Sequence, residues 1–180
     1  MGLVLAGITY AFFVLKFVER IPLKLKTDLD WKEFWKPTII KLAVIAIVTS
    51  VYVFYVDVSA LFFVPRTHFS LFVVILFVYS FLSVWPQEAI YRTYFFRRYE
   101  RLFANKSVFL LVNALLFCLA HLFLKNVLVL VLTFVGGLLF GVTYLKFRST
   151  TMVSVEHALY GNWLFTVGMG QMLAFPGMEN

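Results

Sequence analysis

An all-α, polytopic bundle of about six membrane-spanning helices is the fold this sequence predicts, and three observations predict it. Of its 180 residues, 62% are hydrophobic and 14% charged, and the mean hydropathy is +0.91. Several apolar stretches approach or exceed the roughly 20 residues that a helix needs to cross a hydrocarbon core. The basic residues gather in alternate loops. A water-soluble fold of this size has too little interior to hide so much apolar surface. Strands of a membrane barrel would alternate apolar and polar residues, whereas the segment VLVLVLTFVGGLLFGV beginning at Val127 is apolar on every face, so helices are expected.

The elements follow in order. Leu3–Phe17 reads as a short membrane helix: no basic residue precedes it, and no small-residue cleavage site follows before Lys16, Glu19 and Arg20, as a signal peptide would require. Residues 19–36 mix both charges with Trp31, Phe34 and Trp35 and are expected to form a cytoplasmic loop with an interfacial helix. Leu42–Val64 is the second span, bounded by Pro37 and Pro65. Phe69–Trp85 is the third, and Pro86 suits the first turn of a helix that runs on through Gln87 to Phe103 along the cytoplasmic face. Ser107–Phe123, Val127–Tyr144 and Met152–Pro176 complete the set. With no internal repeat, residues 1–180 read as one membrane-embedded domain.

The formal net charge of +7 has a topological explanation and does not imply a nucleic-acid partner. Lys16, Arg20, Lys24, Lys26, Lys32, Lys36 and Lys41 precede the second span, Arg97, Arg98, Arg101 and Lys106 lie between the third and fourth, and Lys146 and Arg148 between the fifth and sixth. The opposite loops carry little beyond Arg66 and Lys125. Both termini are therefore expected outside and the basic loops in the cytoplasm. Cys118, the single cysteine, forms no internal disulfide.

The chemistry resides in a few polar residues within these apolar stretches. Glu88 and Arg92 are four apart, share a helix face and can pair, with Gln87 about a quarter-turn away. His121 lies in LLFCLAHLFL, and Glu156 and His157 in MVSVEHALYGNWLF. Acidic or basic side chains at mid-membrane cost about 2.5–3.5 kcal/mol on insertion scales, so each needs a partner or a cavity. Taken singly, His121 is equally a donor between helices and Glu88–Arg92 a structural pair. Glu156 is expected to cap a helix start near Ser149, Thr150 and Thr151. Asp57 is a candidate second buried acid, and His68, beside Arg66, a solvated residue.

Taken together, these residues resemble the CPBP family of glutamic-type intramembrane endopeptidases, which includes the type II CAAX prenyl proteases and bacteriocin-processing or immunity proteins. Its pattern is Glu-Glu-x-x-x-Arg, then Phe-x-x-x-His, then His-x-x-x-Asn on a third helix. Gln87-Glu88-Ala89-Ile90-Tyr91-Arg92 is similar to the first part, Phe117 to His121 matches the second, and His157 to Asn162 approximates the third. The resemblance covers residues 84–165. It implies a water held and activated by the first-motif Glu and the second-motif His, here Glu88 or His121, with His157 and Asn162 stabilising the oxyanion. Gln87, Arg92 and Phe117 would support them. Two positions depart from the pattern: the first Glu is Gln87, which cannot act as a base, and the expected Asn is Gly161, with Asn162 one position later. That offset swings the amide by about 100° on a regular helix, and a wide turn at Gly161 would restore it.

No cofactor is expected. The competing site is zinc held by Glu88, His121 and His157 with an open position for water, although no HExxH pattern is present. Cys118 reads as a packing residue rather than a nucleophile. The expected function is hydrolysis of a membrane-associated peptide or protein near the cytoplasmic face, in the inner (plasma) membrane of a prokaryote. The alternative is a catalytically silent relative that binds a peptide or partner as an immunity or assembly factor. A transporter ranks last, for want of paired broken helices in an internal repeat.

Overall fold

A computed structural model describes Phe13 and residues 29–170. Among these the chain is helical throughout its regular structure, with α1 Trp31–Val56, α2 Phe63–Thr67, α3 Phe69–Leu102, α4 Lys106–Leu119, α5 Val127–Phe147 and α6 Thr150–Val167. Four stretches are long and apolar enough to cross a membrane: α1, α3, Lys106–Leu124 (α4 and the turn after it) and α5. The expected span Met152–Pro176 corresponds to α6, which is shorter, carries the polar residues and buries Glu156, His157, Tyr160 and Phe165 among its neighbours. The bundle thus has four to six spans. The expected first span, Leu3–Phe17, lies outside the described residues apart from Phe13.

Four of the six helix starts, those of α1, α4, α5 and α6, follow from a side-chain cap. Asp30 accepts from Glu33 N at 2.9 Å, Asn105 from Ser107 N at 2.8 Å, Asn126 from Val129 N at 3.2 Å and Ser149 from Met152 N at 3.3 Å. These side chains satisfy backbone donors that the first helical turn leaves open. Two expectations change accordingly. Trp31–Lys36 form the first turns of α1 rather than a separate interfacial helix, because Asp30 caps there and Pro37 is tolerated close to the helix start. The cap of α6 is Ser149, which leaves Glu156 two turns inside the helix.

Helix α3 is not regular. Wide turns occupy Tyr79–Val84 and Ala89–Tyr94, where Trp85 N bonds Ser80 O and Phe95 N bonds Ile90 O, five residues back. Pro86 lies between them. Within a helix it removes a donor and crowds the carbonyl four residues earlier, which the preceding wide turn relieves. Asn113 of α4 braces the second wide turn, its Nδ2 donating to Tyr91 O at 2.7 Å.

Helices α4 and α5 are held close by small residues. A Cβ on Gly137 would lie 2.9 Å from Ala114 Cα, and one on Gly141 would lie 2.8 Å from Leu110 Cδ2. Spaced four apart, the two glycines form the small-xxx-small pattern that lets membrane helices approach backbone to backbone. Gly137→Val is expected to separate the helices and destabilise the protein by about 1–3 kcal/mol, read as a lower unfolding temperature in detergent. Gly136→Val, facing the Phe140 ring instead of backbone, serves as the milder comparison.

Charged residues set one end of the bundle. Lys146 pairs with Glu33 at 2.7 Å, and Arg148 grips Glu100 through both nitrogens at 2.6 and 2.7 Å. These hydrogen bonds hold the Arg148 pKa above its ordinary value, so that pair stays charged. The start of α1 and the ends of α3 and α5 therefore share this face. The lipid-facing sides of α1 and α3 expose Val44, Ile47, Val51, Phe77 and Phe81, as a hydrocarbon solvent favours.

Candidate functional site

Three helices deliver the site. Helix α3 carries Gln87 and Glu88 between its two wide turns and Arg92 within the second, α4 carries Phe117 with His121 just beyond its end, and α6 carries His157. Glu88 and Arg92 are both fully buried, and Glu88 Oε2 lies 3.3 Å from Arg92 Nε. The geometry is that of an ion pair without a well-directed hydrogen bond, since neither atom has a hydrogen-bond partner in good alignment. Arg92 is also held by Gly137 O, 3.4 Å from Nη2, and by the faces of Phe117 and Phe140, 4.7 and 5.6 Å from its Cζ.

The second Glu88 oxygen fixes His157, whose Nδ1–H donates to Glu88 Oε1 at 2.7 Å. Phe140 stacks on the imidazole at 4.4 Å and 21°, and Phe117 meets its edge at 5.7 Å. His121 has backbone φ −101° and ψ 5°, where α4 has given way to a turn, and its Nδ1 lies 2.8 Å from Phe117 O. A carbonyl accepts only, so Nδ1 bears the proton. In the neutral ring Nε2 is then a bare lone pair, the state of a base. Both histidines therefore have Nδ1 committed to a protein acceptor and keep Nε2 for a ligand.

Gln87, Phe117, His121 and His157 line one cavity of about 320 Å³, together with Tyr79, Ser83, Thr133, Phe140, Tyr160 and Gly161 among mainly apolar neighbours. Gln87 Nε2 donates to Ser83 Oγ at 2.9 Å, while its buried Oε1 has no hydrogen-bond partner. Glu88 and Arg92 stand behind the wall rather than in it. Asn162 is turned elsewhere: its Nδ2 donates to Ser80 Oγ of α3 at 3.0 Å. Helix α6 is regular α from Thr150 to Val167, so no wide turn at Gly161 restores the direction of the Asn162 amide. The wide turns are on α3 instead.

Among the described residues, no group of three His, Cys, Asp or Glu side chains is placed to hold a metal ion, so Glu88, His121 and His157 do not stand as a ligand set. Asp57 is exposed and caps a short turn, accepting from Ser59 N at 3.0 Å, and is not a buried acid. His68 is exposed, as expected. Cys118 is partly buried, with Sγ 3.2 Å from Leu130 O.

Sequence reasoning missed a second buried network. Glu156 is fully buried, pairs with Lys41 of α1 and accepts from the Tyr160 hydroxyl at 2.9 Å. A lysine within an apolar stretch was the available signal, since it needs a buried acid or an exit to water. Tyr79 and Phe140 carried no signal beyond hydrophobicity.

Compared with known families, residues 69–164, just over half of the chain, match the family described as Type II CAAX prenyl endopeptidase Rce1-like. No curated protein and no solved structure matches the chain.

Proposed function

Because this chain belongs to the Rce1-like family of type II CAAX prenyl endopeptidases, we propose that it is itself an intramembrane endopeptidase, with His121 as general base and His157 as oxyanion donor. The observation that carries the reading is the pair of histidines in one cavity wall, each with Nδ1 tied down and Nε2 left for a ligand. His121 Nε2 takes a proton from water as its oxygen adds to the scissile carbonyl. His157, as an imidazolium held by Glu88, donates Nε2–H to the resulting oxyanion. His121 then returns the proton to the departing amine, and the C–N bond breaks. Glu88 acts as the anchor of His157 and Arg92, and Gln87 orients the water by hydrogen bonding. The apolar wall suits a substrate with a greasy segment, of which a prenylated C-terminal peptide is one case.

The proposed setting is the inner membrane of a prokaryote with the basic end in the cytoplasm. Counted along α3 from Arg97 and along α6 from Thr150, Glu88 and His157 lie about 10–14 Å in from that end. A substrate therefore enters from the cytoplasmic side.

Gln87 supports a second reading, in which the same cavity binds a peptide or partner without cleaving it. The test is the parent protein and Gln87→Glu in liposomes, each given farnesylated and unmodified hydrophobic peptides and analysed by mass spectrometry. The substitution is nearly isosteric, and the Ser83 hydroxyl that now accepts from the amide can donate to a carboxylate. Cleavage by the parent is the expected result. Cleavage by Gln87→Glu alone would mark a lapsed protease, and cleavage by neither folded protein would leave the binding role.

A further inference from the structure

We infer that the cavity is a binding site for an apolar carboxylate, captured together with one proton that His157 receives; where that carboxylate is the new C-terminus of a cleaved peptide, this rests on the endopeptidase reading above. Around His157, α3 supplies Glu88, Arg92 and Tyr79, the turn after α4 supplies His121, and α5 supplies the uncharged Phe140. Helix α6 itself supplies Glu156 and Tyr160, with Lys41 of α1 on Glu156. Glu88 offsets Arg92, and Glu156 offsets Lys41. With His157 neutral, this cluster carries no net charge. A proton on His157 adds a third cation where Glu88, Arg92 and Glu156 are fully buried and Phe140 stacks on the ring at 4.4 Å. Such a charge is costly until an anion joins it. Proton and anion are therefore linked, each raising the affinity for the other.

The wall selects the rest of the ligand. The two imidazole nitrogens lie on different edges of the ring, so with Nδ1 on Glu88 behind the wall, Nε2 is left on the cavity side. From Phe140, beside His157, the lining runs along α5 through Leu139, Gly136 and Leu132 to Val129. That run rises about 16 Å, close to half the roughly 30 Å of a hydrocarbon core and so to the reach of one lipid chain. Spread over this length, a volume of about 320 Å³ leaves a cross-section on the order of 20 Å², room for one chain but not for a helix about 10 Å across. A carboxylate ending an apolar chain meets both demands. Its chain fills the apolar run, and its charge takes a charge-assisted hydrogen bond from Nε2–H. A free fatty acid and the acyl fragment released by peptide hydrolysis share this chemistry.

The test is isothermal calorimetry on the full-length protein in detergent, in two buffers of different ionisation enthalpy, which counts the protons taken up. The probes are decanoate and decanamide, and an apolar tetrapeptide with a free or an amidated C-terminus. A bound acid is expected to exceed its amide in affinity by about tenfold or more, to take up close to one proton, and to weaken about tenfold per pH unit above neutrality. Binding of decanoate alone assigns the site to lipid-derived acids, and of the peptide acid alone to the cleavage product; either, or both, supports the inference. His157→Gln is expected to bring acid and amide affinities together and to abolish the uptake. In the parent, the nitrogen-15 NMR signal of His157 Nε2 is expected to move from that of a lone-pair nitrogen to that of an N–H when acid is added, a readout that needs no variant to fold. Uptake without that move places the proton on the ligand and overturns the inference, as do equal affinities of acid and amide in the parent, or binding of neither acid. The endopeptidase reading stands or falls separately, on the cleavage assay with the parent and Gln87→Glu.

Discussion

Glu88→Gln is expected to lower stability by roughly 3–5 kcal/mol, because Arg92 is left as a buried cation without its counter-ion. Arg92 is fully buried, its other contacts include a carbonyl at 3.4 Å and two aromatic faces, and the more distant Glu156 carboxylate is itself paired with Lys41. None of these neutralises the charge. The double variant Glu88→Gln with Arg92→Gln is expected to regain most of the loss, since removing both charges also removes their desolvation cost. Thermal unfolding of the three variants in detergent measures this as a double-mutant cycle. Singles and double melting together at the parent temperature would mean that the pair contributes no coupling. Even a folded Glu88→Gln is expected to cleave poorly, because a neutral amide does not stabilise the His157 imidazolium.

Removing the His121 ring is expected to reduce cleavage by about 10²–10⁴-fold, the usual contribution of a positioned general base. The loss falls on kcat, and the rise of rate with pH that reports loss of the His121 proton disappears from the profile. His121 sits beyond the end of α4, with its imidazole in the cavity wall and only one side-chain hydrogen bond to a carbonyl. Its replacement should thus lower stability by no more than about 1 kcal/mol, the scale of a lost hydrogen bond, read as a small drop in unfolding temperature. This separates it from Glu88, where activity and stability fall together. The assay uses whichever of the parent and Gln87→Glu cleaves. A His121→Ala protein that retains the parent rate would return the base to another group.

The contrast between these residues also explains what the sequence disclosed. Glu88, His121 and His157 stood out because ionisable side chains in apolar helices are costly and so mark a site or a pair. Their division of labour did not. Glu88 read as a candidate base and as the partner of Arg92, and the packing of α3 against α6 adds its hydrogen bond to His157 behind the cavity wall. The departure at Gly161 suggested a wide turn on α6, but helix width is set by backbone hydrogen bonds that composition does not encode, and the relief appeared on α3 beside Pro86. Asp57 and Glu156 exchanged places for a similar reason. An acid beside a helix end and one inside a helix differ in sequence only by where the helix begins, which Ser149 decides for α6.

The Lys41–Glu156 pair bears on how the chain is made. The partners are 115 residues apart, and they lie on the first and last of the helices α1 to α6. At ordinary rates of synthesis Lys41 waits roughly 6–23 s for its acid to emerge. Throughout that interval α1 carries an ammonium group that hydrocarbon does not solvate. Until α6 arrives, the Lys41 stem turns its ammonium toward the basic, cytoplasmic end of α1. The clasp between α1 and α6 therefore closes only after the spans between them have been made, which makes it a late step in assembly.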